Sequence, residues 1–368
     1  MMTFRIVGCS LAMALLSFAD QGIGGRVYIE GHLPRYAVGG KGLSDRIARE
    51  QAIASLGAGG VRLDLEWSGI GRVRGQLDWS RVDSTVTELR SQHLGAFGLL
   101  TFSPGWAVPR GMPERHRPVV DGSAARGDTA FAAFAAAAVR RYHGFIHQWE
   151  IWNEENNPVF WIHQVDDSNT GPDAADYLRL FTLARDSILA VDSGSDVSIG
   201  GLAALSGRFQ KMGDPGGSAR TLEAKPAHVY LRDLIRAGWT PGIVALHPYS
   251  GLPPGQHRLG ELSSVFPNQV FDSTLTVLTD AGYPSTPVWI TEWGVNVHPG
   301  LSQDAVTDWF RKALTTMLCN PRVPFVTVYA VTDSGAGTNY GLFNSDGSRS
   351  SGGAGLRAAI AGWGGCGG

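Results

Sequence analysis

The strongest constraint in this chain is an alternation. From residue 45 onward, helix-length amphipathic segments take turns with short, continuous apolar runs. Helices are expected over residues 45–56, 79–91, 128–142, 173–191, 227–237, 271–281 and 303–318, and strands over 60–65, 95–101, 147–152, 197–202, 243–247, 288–291 and 325–330. Runs that are apolar on both faces suit parallel strands covered by helices on either side. Residues 26–30, RVYIE, supply the further strand at the front of the series. Eight β/α units in a chain of 368 residues predict an α/β fold of the (β/α)8 TIM-barrel type, one domain over residues 20–350.

A doubly wound open sheet is the alternative. It needs a glycine-rich phosphate turn after the first strand, and the GGKG run at 39–42 lacks that spacing. The stretches 210–226 and 251–267 are rich in glycine, proline and charge, but each follows an expected strand. They read as long loops on one rim rather than as linkers. Residues 351–368 form a glycine-rich tail with a last short helix over 356–361. With 43% hydrophobic and 17% charged residues the chain can bury a sizeable core. A formal net charge of -2 gives no field that would draw it to nucleic acid or anionic membrane.

In a barrel of this kind the reacting groups stand where strands end and the following loops begin. Polar side chains occupy those places in most units. Arg62 lies in the second strand, and Trp106 in SPGWA follows the third. Asn153 and Glu154 close the fourth, and His247 and Tyr249 the sixth. Glu292 and Trp293 close the seventh, and Asp333 and Tyr340 follow the eighth. Glu154 and Glu292 stand out because each ends an apolar, tryptophan-flanked run, WEIWNEENN and VWITEWG. Two carboxylates on one rim are what retaining glycoside hydrolysis uses: an acid that protonates the leaving oxygen, and a nucleophile that traps the oxocarbenium-like centre. The acid needs a raised pKa and the nucleophile a nearby cation, for which Arg62 is the candidate. Asn153 is placed to reach a sugar 2-hydroxyl, and Tyr249 or His247 to orient the nucleophile. Trp106 and Trp293 are expected as stacking platforms and Asp333 as a further sugar contact, with Trp161 left open between core and platform. The substrate expected is an oligo- or polysaccharide. No metal or organic cofactor is required, since the histidines are too scattered for a metallohydrolase site. The competing reading is a non-catalytic carbohydrate-binding barrel of the cell envelope.

From residue 60 to 347 the chain resembles the clan A retaining glycoside hydrolases, family 39 and the family 5-like bacterial enzymes in particular. The resemblance implies that Asn153-Glu154 at the fourth strand carries the acid/base, Glu154, and that Glu292 at the seventh is the nucleophile. It also implies Arg62 on the second strand and the His247-x-Tyr249 pair on the sixth, with Trp106, Asp333 and the run NYGLFNSDG fitting the same pattern. Two departures stand out. Glu155 occupies the position after the acid/base where the clan has proline, and the run VYAVTD places Tyr329 where an aromatic, often tryptophan, closes the eighth strand.

The N-terminus combines Arg5, an apolar stretch over 6–16 and a small-x-small ending before Asp20. It resembles a secretory signal peptide over residues 1–19, so a secreted or cell-envelope location is expected, with no membrane span in the mature chain. Cys9 would leave with that segment, and Cys319 and Cys366 are then free to pair or to remain thiols.

Overall fold

The structure, a computed structural model, describes residues 23–33, 40–161, 172–204, 207–210, 221–249, 269–297, 300–332 and 340–366. The expected leader and Asp333 lie outside the described residues. Eight strands form the barrel: β1 (Val27–Glu30), β2 (Gly60–Glu66), β3 (Gly95–Thr101), β4 (Gln148–Asn153), β5 (Asp196–Ala203), β8 (Val244–His247), β9 (Val288–Trp293) and β10 (Val326–Tyr329). Two more, β6 (Gly207–Gln210) and β7 (Thr221–Ala224), pair as an antiparallel hairpin within the loop after β5, a stretch the sequence presents as plain loop. The barrel strands close in the order β1-β10-β9-β8-β5-β4-β3-β2. Each neighbouring pair is parallel, and the ring is sealed by Glu30 lying opposite both Tyr329 and Arg62. The expected strands all form, with ends displaced by one or two residues.

The helices owe their positions to caps and to apolar stripes. Ser123, Asp173, Ser302 and Ser350 each accept a backbone N–H from the first turn of the helix that follows, a contact worth ~1 kcal/mol. In the helix Gln303–Leu318, the buried residues Val306, Trp309, Phe310, Ala313, Leu314 and Met317 recur at the three-and-four spacing of one helical face. The final helix spans Ser351–Ala361, five residues longer at its start than the sequence suggests, because Ser350 caps it. A disulfide joins Cys319 to Cys366, with Cα atoms 5.3 Å apart, and ties the end of the chain to the helix beneath it. Among the described residues no helix is long and apolar enough to cross a membrane.

Inside the barrel, side chains stack in layers. The lower layer is apolar, with Tyr28, Phe97, Ile243, Ala245, Trp289 and Phe325 packed together. The layer above is polar and charged, because the next inward positions on β1, β2, β4 and β9 are Glu30, Arg62, Glu150 and Thr291. An apolar floor therefore lies beneath a layer of ion pairs.

Candidate active site

Arg62 is the centre of that charged layer. Its side chain is buried and every guanidinium nitrogen is engaged. Nη2 donates to Glu150 Oε1 at 2.9 Å and Asn153 Oδ1 at 2.8 Å, and Nε to Glu150 Oε2 at 3.2 Å. Nη1 donates to Glu30 Oε2 at 3.3 Å and to Glu292 Oε2 at 3.1 Å. Arginine suits the place because its planar fork meets several carboxylates at once and stays charged. Glu150 is further held by the Gly201 N–H at 2.7 Å and the Thr291 hydroxyl at 3.3 Å. Neither Glu30 nor Glu150 stands out in the sequence reading. The available signal is a single acid inside an otherwise apolar barrel strand, which is costly unless a buried cation answers it.

Glu292 reaches the mouth because β9 carries a bulge. Ile290 lies opposite Val326 and Trp293 opposite Val328, so β9 uses one residue more than β10 over the same span. Trp289 and Thr291 face the barrel interior, and the extra residue lets Glu292 follow them inward. There Glu292 accepts from the Tyr249 hydroxyl at 2.8 Å and from Arg62. The same bulge turns Trp293 outward. Its ring stacks on Trp309 at 5.0 Å and meets Phe310 edge-on, and the residue is 1% exposed. Trp293 is therefore a core residue, and the expected stacking platform at this position is corrected.

Glu154 is aimed by strained backbone. Trp152 and Glu154 both adopt left-handed φ, 72° and 50°. Such angles cost of order 1–3 kcal/mol for residues other than glycine and cluster at functional sites. The two reversals break the simple alternation of β4. Glu150 and Asn153 point to Arg62, while the Trp152 ring turns away against Phe102, Phe131 and Trp161. Glu154 then meets His247 Nδ1 at 3.0 Å and accepts from Asn157 Nδ2 at 3.1 Å. Burial pushes its carboxyl up to about 7, against the opposing pull of the Asn157 hydrogen bond and the more distant Arg62 charge. Burial pushes His247 down to about 4, so the imidazole is neutral at neutral pH.

His247 thus serves Glu154 rather than Glu292, whose nearer oxygen is 3.9 Å away, and orientation of Glu292 falls to Tyr249. One oxygen of Glu154, one of Glu292 and a ring nitrogen of His247 lie within 4.8 Å of one another. The glutamate side chains are 12% and 16% exposed, enough to meet a ligand from the rim. Two glycines of β5 make room behind them. A Cβ on Gly201 would stand 2.0 Å from His247 Nε2, and one on Gly200 would stand 2.2 Å from Glu155 Oε2. Glu155 itself points away from the mouth and is fully buried. Neither of its oxygens has a hydrogen-bond partner among the described residues, and burial raises its carboxyl well above the usual range. Glu155 packs against Gly200 behind the site, whereas Glu154 meets His247 at its mouth.

The remaining sequence candidates divide. Trp106 stays on the rim: its indole donates to the Gly71 carbonyl at 2.7 Å, and its ring meets Trp67 and the Arg74 guanidinium. None of these partners is bonded to either glutamate. Trp161 is buried edge-on between Trp152 and Tyr177, a core role. Three tyrosines that the sequence places around the ends of the sixth and eighth strands form an aromatic wall beside Glu292. Tyr249 meets Tyr340 edge-on, Tyr340 meets Tyr329, and Tyr329 meets His32. His32, with left-handed φ of 48°, places Nδ1 2.8 Å from Asp64 Oδ2. Two sets carry metal-ligand side chains, Glu30 with His32 and Asp64, and Glu154 with His247 and Glu292. Arg62 stands between them, bonded to Glu30 and Glu292, and already supplies a cation to both.

No model of a known protein family matches the sequence, and no curated protein matches it. Solved structures match its fold. A family 39 glycoside hydrolase from Bacteroides cellulosilyticus WH2 aligns with a TM-score of 0.59 at 18% identity, over 92% of this chain and 64% of that one. Xylanase 10B from Thermotoga petrophila RKU-1, in complex with xylobiose, aligns with a TM-score of 0.57 at 12% identity, over 97% and 99% of the two chains. A beta-glucosidase from Thermotoga maritima, in complex with cyclophellitol, gives 0.53 at 14% identity, over 84% of each. This chain spans less than two thirds of the length of the family 39 structure. At these identities the likeness is one of fold, the closed (β/α)8 barrel.

Proposed function

We propose that the protein is a retaining O-glycoside hydrolase acting on an oligo- or polysaccharide, with Glu154 as acid/base and Glu292 as nucleophile. The observation that carries this reading is the pair itself. Two carboxylates from the ends of β4 and β9 face one another, one oxygen of each lying within 4.8 Å of the other, in different environments. Retaining enzymes hold their carboxyl groups ~5–5.5 Å apart, whereas inverting enzymes leave ~6.5–9.5 Å for a water. Glu154 is near a neutral imidazole and is raised to about 7, which suits proton donation at neutral pH. Glu292 lies against the Arg62 guanidinium and accepts from Tyr249, which suits a carboxylate that must attack as an anion.

In the first step Glu292 forms a bond to the anomeric carbon while Glu154 gives its proton to the departing oxygen. In the second, Glu154 takes a proton from water, which displaces Glu292. The solved structures of similar fold, described as a glycoside hydrolase, a xylanase and a beta-glucosidase, support the reaction class. Replacement of either glutamate by alanine should abolish turnover of an aryl glycoside, and azide should rescue each differently. Glu154→Ala should yield a glycosyl azide of retained configuration and Glu292→Ala one of inverted configuration. Full activity in Glu292→Ala would overturn the assignment. Export is part of the same proposal. It is supported by the resemblance of residues 1–19 to a secretory leader and by the Cys319–Cys366 disulfide, a bond that persists in oxidising compartments. Mass spectrometry of the secreted chain for a start at Asp20 tests it.

A further inference from the structure

The residue that follows Glu154 has a seat of its own. Glu154, Glu155 and Asn156 are each met in turn by β5. The Glu154 N–H is taken by the Gly201 carbonyl at 3.1 Å. The Asn156 side chain pairs with Ala203 in both directions, donating to its carbonyl and accepting from its N–H, each at 2.8 Å. Between these two contacts the Glu155 side chain lies over Gly200. A Cβ there would stand 2.2 Å from Glu155 Oε2 and 2.8 Å from the Trp152 carbonyl oxygen, so the seat exists only because residue 200 is glycine. Glu155 is fully buried in it, beside Tyr177. The Tyr177 hydroxyl ties the same two strands together, donating to the Ile151 carbonyl at 2.7 Å and accepting from the Gly200 N–H at 2.9 Å. This seat bears directly on its neighbour. Glu154 holds a left-handed φ of 50°, which persists only where surrounding contacts over-determine it. Relaxation of that angle would swing the Glu154 side chain away from His247 and would carry the following peptide, with Glu155, out of the notch over Gly200.

Resting on the reading of Glu154 as the acid/base, we infer that Glu155 is a positioning residue: its side chain, wedged over Gly200, holds the turn that delivers Glu154 to His247 and to the leaving oxygen. Its contribution to turnover passes through Glu154 and therefore scales with how much the reaction needs a proton donor.

Two measurements on the full chain test this. The first compares kcat/KM for phenyl and 2,4-dinitrophenyl glycosides. Glu155→Ala, which empties the seat, should lower the phenyl rate by roughly 100-fold and the dinitrophenyl rate far less. Glu155→Asp, the milder variant, should show the same split in smaller measure, and Glu155→Gln, which keeps the shape, should recover most of the loss. Equal losses for the two leaving groups would mark a merely structural role and overturn the inference, as would no loss for either. The second measurement needs no turnover. Nitrogen-15 NMR of the imidazoles, with His247 assigned by its absence in His247→Ala, reads the contact between His247 Nδ1 and Glu154. In Glu155→Ala and, more weakly, Glu155→Asp, the His247 signals should move towards their positions in Glu154→Ala. Wild-type His247 signals in both variants overturn the inference and leave the glycosidase reading standing. A wild-type protein that hydrolyses no glycoside, yet whose His247 signals respond in this way, would instead sustain the positioning role and defeat the glycosidase reading.

Discussion

Gly201→Ala is a one-carbon perturbation that reaches the site through packing alone. Gly201 lies on β5, where its N–H is donated to Glu150 and its carbonyl accepts from the Glu154 N–H. An added Cβ would stand 2.0 Å from His247 Nε2 and 2.7 Å from Thr291 Oγ1, where ordinary contact begins at 3.4 Å. The imidazole must therefore move by ~1.4 Å, and His247 is fully buried, in an interior that is ordinarily close-packed. Overpacking of this kind costs ~1–3 kcal/mol. A shift of the ring also breaks its 3.0 Å contact with Glu154, and misplacement of a catalytic group by ~1 Å lowers turnover ~100-fold. Urea denaturation reads the first effect and kcat on an aryl glycoside the second. A double-mutant cycle isolates the cause: in a His247→Ala background the stability cost of Gly201→Ala should fall by at least half, leaving only the smaller overlap with Thr291. A Gly201→Ala protein with wild-type midpoint and kcat would refute the reasoning. So would the same cost with and without the histidine, since the clash would then lie elsewhere.

Three further outcomes follow from the same geometry. Arg62→Met leaves Glu30, Glu150 and Glu292 without their cation and should cost ~3–5 kcal/mol in urea unfolding, with Arg62→Lys recovering part of the stability but little of the activity. On the proposed mechanism, with the Glu154 carboxyl raised to about 7, kcat/KM for glycosides with poor leaving groups should fall as pH rises through about 7 and the proton is lost; 2,4-dinitrophenyl glycosides, which need no protonation, should lack that alkaline limb, and Glu154→Gln should lower kcat/KM far more for the poor leaving groups than for 2,4-dinitrophenolate. The Cys319–Cys366 bond closes a sequence separation of 47 residues, so its removal by Cys366→Ser should lower stability by up to ~4 kcal/mol, read as a drop in thermal midpoint that reductant produces in wild type but not in the variant.

The barrel was legible because its signal is repeated: each strand is a short run apolar on both faces, and each helix carries a stripe such as Val306, Trp309, Phe310 and Ala313. The positions of Glu154, Glu292, Arg62 and Tyr249 followed from where strands end. What the sequence hid were breaks in periodicity. The bulge in β9 exchanges the faces of Glu292 and Trp293, and nothing in VWITEWG announces an extra residue there. The left-handed turns at Trp152 and Glu154 do the same on β4, in residue types that rarely adopt them. Glu30 and Glu150 escaped notice because a lone acid in an apolar run gains meaning only when Arg62 is brought between them from another strand. The partner of His247 was equally out of reach, since distances of 3.0 and 3.9 Å to two candidate glutamates are a property of the closed ring.

The stereochemistry of the first-formed product tests the central claim most directly. Proton NMR during early hydrolysis of a single-anomer aryl glycoside, before mutarotation, should show the sugar released with the anomeric configuration of the substrate. Release of the opposite anomer would contradict a nucleophilic Glu292 and the double displacement built on it.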